Sequence, residues 1–140
     1  MASIHRSETG NGASIVGGAR GQGPGPEVMA ADTLEGDTVV NTHGDKLGEI
    51  TDIMIDVPTG RVAYAVLSSG GFLGMGDKLF AIPWGALTLD ATHKQFVIDI
   101  EKERLKNAPG FDKDHWPTMA DSRWANQVHD YYGQRSYWLT

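Results

Sequence analysis

From Val28 onward the chain is a succession of short β-prone runs, each closed by turn residues, and that punctuation dictates an all-β unit instead of a helical bundle. Thr38-Val39-Val40-Asn41 reads as the first strand, and His43-Gly44-Asp45 turns it, with Gly44 free to take a positive φ. Residues 46–56 form a longer strand, with Leu47, Thr51, Ile53 and Ile55 on one face and Ile50 and Met54 on the other. Val57-Pro58-Thr59-Gly60 leads into residues 61–69, the strongest strand, where Val62, Tyr64 and Val66 alternate with Ala63, Ala65 and Leu67. Apolar groups on both faces imply burial on both sides. One face fills a barrel interior, and the other needs a cover from the C-terminal segment or a second subunit. Residues 78–84 read as a further strand, with Pro83 at its end or on an edge. Residues 86–89 and 95–100 form a last hairpin around Asp90-Ala91-Thr92-His93-Lys94.

The flanks differ in character. Residues 1–27 are rich in Gly, Ser and Ala, bury too little apolar area to offset their ordering entropy, and read as a flexible arm in which Ile15 and Val16 are the only large aliphatic neighbours. No export signal is read there. A short helix over residues 102–107, stopped by Pro109, closes the central domain of residues 28–110. Residues 111–140 form an aromatic extension, in which Ala120, Trp124, Val128 and Tyr131 follow helical spacing and Gly133 can end that helix. No run approaches the roughly 20 apolar residues of a spanning helix, so membrane insertion is not expected and the expected address is the cytoplasm.

Taken together, Leu34-x-Gly36-x-x-Val39, Gly44-Asp45-x-Leu47-Gly48-Glu49-Ile50-x-Asp52, Asp56-x-x-Thr59-Gly60-Arg61-Val62-x-Tyr64, Gly70-Gly71-Phe72-Leu73-Gly74-Met75-Gly76-Asp77-Lys78 and Ile82-Pro83-Trp84 form one pattern, continued by Leu105 and Ala108-Pro109. Over residues 30–109 it closely resembles the PRC-barrel family. The resemblance implies a mainly β fold: a small, strongly bent β-barrel with a short helix after the last strand, here followed by the aromatic helical extension. It also implies an assembly or interaction module with no catalytic residues. The family includes the cytoplasmic domain of the photosynthetic reaction-centre H subunit and the C-terminal domain of a ribosome maturation factor. Neither the membrane helix of the first nor the added N-terminal domain of the second is read in this sequence, so their functions are not transferred. The stand-alone bacterial members are more similar, and through them the resemblance implies self-association and a link to stress responses.

The search for chemistry yields no constellation. The 140 residues contain no cysteine, which removes disulfides, thiolate nucleophiles, Fe–S clusters and Cys-based zinc sites. Gly71-x-x-Gly74-x-Gly76 has the wrong order for a phosphate loop and precedes a strand, so it reads as a loop presenting Phe72, Leu73 and Met75. His5, His43, His93, His115 and His129 are scattered without ligand spacing, and Asp112-x-Asp114 lacks the later Gly and Glu of a calcium loop. Asp52 and Asp56 are about 13 Å apart along a strand, too far to cooperate. Catalytic, cofactor and metal sites are therefore all expected to be absent. The candidate partner contacts are Phe72, Leu73, Met75 and Trp84, with Trp116, Trp124, Tyr131, Tyr132, Tyr137 and Trp138 of the extension, since Tyr and Trp anchor interfaces. The expected partners are a second copy, in a homodimer or higher homo-oligomer, and an unidentified protein. DNA is not expected, and the formal net charge of -6 weighs against RNA or a ribosome. An RNA–protein particle and a small-molecule cleft between Phe72, Trp84 and the tail stand as alternatives.

Overall fold

The computed structural model describes residues 4–5, 12–18, 25–71 and 78–136. Its strands are β1 (Ile4–His5), β2 (Ser14–Val16), β3 (Thr38–Asn41), β4 (Lys46–Asp56), β5 (Arg61–Ser68), β6 (Leu79–Pro83), β7 (Leu87–Asp90) and β8 (Gln95–Ile98). Two helices follow, α1 (Lys102–Lys106) and α2 (Ser122–Tyr131). The strands make one sheet in the order β1-β2-β7-β8-β3-β4-β5-β6.

The sheet is open, and the expected closed β-barrel is corrected accordingly. Closure requires the two edge strands to pair, but β1 and β6 are opposite ends of the order. Two features of β6 oppose closure. Pro83, its last residue, has no N–H to offer a ladder. Its first residue, Leu79, is already bridged on the outer side by Phe111, donating to the Phe111 carbonyl at 2.8 Å and accepting from the Phe111 N–H at 2.9 Å. The C-terminal segment thus takes the edge that a barrel would need.

The longest strand, β4, departs from period-two alternation. The β3–β4 register jumps from Val39↔Gly48 to Val40↔Lys46, and the β4–β5 register jumps from Ile50↔Leu67 to Asp52↔Val66. Each bulge inserts one unpaired residue and resets which face the next side chain takes. Leu47, Ile50 and Ile53, three apart instead of two, therefore all meet the same core cluster, and Ile50 does not lie on the face opposite Leu47. A further register shift beside Ala63 puts Ala63 and Tyr64 together in a second cluster, while Ala65 and Leu67 join the first. Gly48 makes the first bulge feasible. Its φ is +155°, and a Cβ there would come within 2.1 Å of the Ser68 carbonyl oxygen of β5.

The main core lies on the inner face and includes Val39, Leu67, Phe80, Ile82, Phe96 and Leu105, the last supplied by α1. The outer face of β5 and β6 carries Ala63, Tyr64 and Ala81, which Val128 of α2 covers with Phe111, Met119 and Trp124 around it. Helix α2 starts at Asp121, whose carboxylate accepts from the Arg123 N–H at 2.9 Å, and ends before Gly133 at φ +67°. Within residues 1–27, read as an arm, β2 pairs parallel with β7 through Ile15↔Leu89, and Ile15 packs on the main core. Ile15 and Val16, the aliphatic neighbours that stand out in that segment, both lie in β2 and enter the sheet.

Candidate interaction surface

Beyond Glu49 the β4–β5 hairpin leaves the support of β3, whose pairing with β4 ends at Thr38↔Glu49. No residue of 51–56 is buried, although Ile53, Met54 and Ile55 are apolar. Five large apolar residues are prominently exposed among the described residues: Val28 (69%), Met29 (38%), Ile55 (48%), Val57 (83%) and Trp116 (40%). Four of these gather on and beside this hairpin. A groove of about 520 Å³ runs along one side, between Met54, Ala63 and Tyr64 of the hairpin and Met119 and Ala125 of the extension. A second, of about 400 Å³, lies between Ile53 and Val62 of the hairpin and Ile15, Val28, Met29 and Trp84. Ile55 borders both.

This clustering follows from local chemistry. Asp56 accepts from the Thr59 N–H and Gly60 donates to the Asp56 carbonyl, so 56–60 is a tight turn with Val57 at its outer corner. Val57 is left 83% exposed there, at the rim of the first groove. Full burial of such a side chain is worth roughly 1.5–3 kcal/mol, of which each forgoes the part its exposure leaves in water, and four together exceed the scattered apolar exposure typical of a surface.

The aromatic residues singled out by sequence are placed elsewhere. Phe72, Leu73, Met75, Tyr137 and Trp138 lie outside the described residues. Trp84 packs edge-on against Phe96 at 5.9 Å and borders the second groove. Trp116 leans on Phe111 at 4.9 Å and donates its indole N–H to the Lys113 carbonyl. Trp124 meets Tyr64 edge-on at 5.3 Å. Tyr131 lies beneath the Arg104 guanidinium at 4.3 Å, exchanges hydrogen bonds with the Arg104 backbone and side chain, and touches Tyr132. Trp124, Tyr131 and Tyr132 thus spend their rings on their own sheet and α1, and Tyr131 and Tyr132 pack on the same main core cluster as Trp84. The residues missed by sequence reading are Val28, Met29, Ile55 and Val57. The signal that could have found them is the apolar character of both faces of β4 with no second strand to flank its far half.

Chemistry is sparse around this surface. Among the described residues no three His, Asp or Glu side chains converge as metal ligands. His93 pairs with Asp90 at 2.8 Å, and His115 with Asp112 at 2.9 Å, each three residues apart. The buried His129 donates Nδ1–H to the Ala125 carbonyl at 2.8 Å and sits edge-on to Tyr64, a packing role. Among the described residues no helix is long and apolar enough to cross a membrane.

Tyr132 provides a titration readout. Burial, aided by Tyr131 and opposed by Arg104, raises its phenol pKa above the ordinary tyrosine range. The folded state therefore disfavours the tyrosinate relative to the unfolded chain. Stability is unaffected below the ordinary pKa of about 10 and falls as pH rises above it. Ultraviolet titration is expected to show tyrosines that ionise only as the protein unfolds, the buried Tyr64 among them, and the amplitude of that phase should fall by one tyrosine in Tyr132→Phe. Reversible ionisation of every tyrosine at pH near 10, in the folded protein, would contradict this burial.

Comparison with known proteins places these features in a family. The PRC-barrel domain model matches residues 26–105. An uncharacterized protein of Deinococcus radiodurans is 25% identical over 107 residues, covering 73% of this chain and 38% of its own length. The chain thus spans well under half of that relative. The crystal structure of a 16S ribosomal RNA processing protein, RimM, of Pseudomonas aeruginosa superposes with a TM-score of 0.42 at 17% identity, over 61% of this chain and 49% of that one.

Proposed function

The chain belongs to the PRC-barrel family, whose domains are non-catalytic scaffold and interaction modules, and we propose that it is a protein-interaction module that self-associates through the far half of the β4–β5 hairpin. The observation that supports this reading is the grouping of Val28, Met29, Ile55 and Val57 around a strand segment in which nothing is buried. Such a patch loses solvation cost when a second protein covers it. The flanking grooves are apolar and carry no convergent set of polar groups of the kind that orients a small ligand.

Sedimentation equilibrium of the full chain tests the reading. The expected result is a reversible dimer that the double variant Ile55→Lys, Val57→Lys weakens by about tenfold or more, while circular dichroism stays native. Both side chains are exposed, so their loss should cost the fold little. A monomer at all concentrations, or a dimer indifferent to both substitutions, would remove the proposal.

A further inference from the structure

We propose that the outer edge of β4, residues 51–56, pairs antiparallel with the same edge of a second copy about a two-fold axis at Ile53, so that the two sheets become continuous. This deepens the self-association reading and rests on it.

The edge is open. After Thr38↔Glu49, β4 has β5 as its one strand neighbour as far as Asp56↔Arg61. Ile50 is the last residue whose backbone is engaged on the β3 side, donating to the Asp37 carbonyl at 3.0 Å and accepting from the Gly36 N–H at 2.7 Å. Past it, no strand flanks that side of β4 among the described residues. A strand edge is a template for another strand; residues 51–56 contain no Lys or Pro, and the charges that could blunt the edge are Asp52 and Asp56, beside the register shifts at 50/52 and 54/55.

The sequence of the edge then selects both occupant and register. A two-fold axis at Met54 would set Asp52 opposite Asp56 of the second copy, twice, and like charges directly opposite destabilise a sheet. An axis at Ile55 avoids this but leaves only residues 54–56 overlapping. An axis at Ile53 sets Ile53 against its own copy and Asp52 against Met54, with Thr51, the residue the bulge leaves without a partner on β5, opposite Ile55 and no carboxylate facing another. The strand is therefore complementary to itself in one full-length register. Ile53 and Ile55, which border the second groove with Val62, Val28 and Met29, then continue as one apolar stripe across the junction.

The absence of cysteine makes the register directly testable. Full-length Thr51→Cys, Ile55→Cys and Val57→Cys proteins, all altered at exposed positions, are mixed in pairs under mild oxidation at a concentration where sedimentation shows the dimer. The expected result is a disulfide between the Thr51→Cys and Ile55→Cys proteins that forms about tenfold faster than between Thr51→Cys and Val57→Cys, because directly opposed residues fall within disulfide reach. A dimer that cross-links preferentially through Val57→Cys, or through none of these positions, overturns the edge pairing and leaves self-association standing. A strict monomer by sedimentation overturns both. A dimer that forms only with an unrelated extended peptide present identifies a foreign strand as the occupant and overturns the two-fold pairing.

Discussion

Gly48→Val is expected to cost about 3–5 kcal/mol, enough to unfold a domain of ordinary marginal stability. Two terms combine. A branched side chain is strained at φ +155°, and its Cβ would lie 2.1 Å from the Ser68 carbonyl oxygen and 2.9 Å from Leu67 Cδ1. The clash is with backbone, and β5 cannot retreat, because Ser68 is paired with Glu49 on one side and Leu79 on the other. Gly44→Ala separates the two terms. Its φ is +86°, yet nothing lies within 4 Å of the added Cβ, so only conformational strain of about 1 kcal/mol is expected. Urea unfolding of both variants checks this. Equal losses would show that the close approach to β5 contributes nothing.

The second large effect is expected at the docked helix. Val128 is 1% exposed, among Ala63, Tyr64 and Ala81. Val128→Asp would place a carboxylate there, and desolvating an unpaired charge costs more than releasing α2, so the helix should undock at a loss of about 3 kcal/mol or more. The Tyr64–Trp124 contact would part, quenching the near-ultraviolet circular dichroism of that pair, and limited proteolysis should cut within 111–132 while the sheet persists. Asn126→Asp, exposed one turn face away, should change stability by no more than about 0.5 kcal/mol. A Val128→Asp protein as stable and as protease-resistant as the parent would refute the packing of α2 on β5 and β6.

How far the sequence was legible depended on whether the information was local. Strands β3 and β4 carry their own turn residues, His43-Gly44-Asp45 and Val57-Pro58-Thr59-Gly60, and were readable almost to the residue. Helix α2 was read from the spacing of Ala120, Trp124, Val128 and Tyr131 and from Gly133, while its cap Asp121 emerged from the structure. The bulges were not readable, because nothing in Leu47-Gly48 or Thr51-Asp52 announces which partner residue will be skipped. The strict alternation assigned to β4 therefore put Ile50 on the wrong face. Closure into a barrel was expected from the family resemblance. What prevents it is non-local: Phe111 lies far from Leu79 in sequence and claims the β6 edge.

The candidate surface was legible only in part, for a related reason. Aromatic composition drew attention to residues 116–138, and Trp124, Tyr131 and Tyr132 do make large contacts, but with their own chain. Ile55 and Val57 look like ordinary strand and turn residues. Their significance arises from β3 beginning only at Thr38, opposite Glu49 in the antiparallel pair, which leaves the far half of β4 without a strand neighbour on that side.

Amide hydrogen exchange on the full chain, measured below and above the concentration at which it associates, tests the central claim most directly. The account predicts that association protects residues 51–56, together with 28–29, and leaves α2 and β7 as they were. Protection gained instead along 111–132, with residues 51–56 exchanging at the same rate at every concentration, would contradict it.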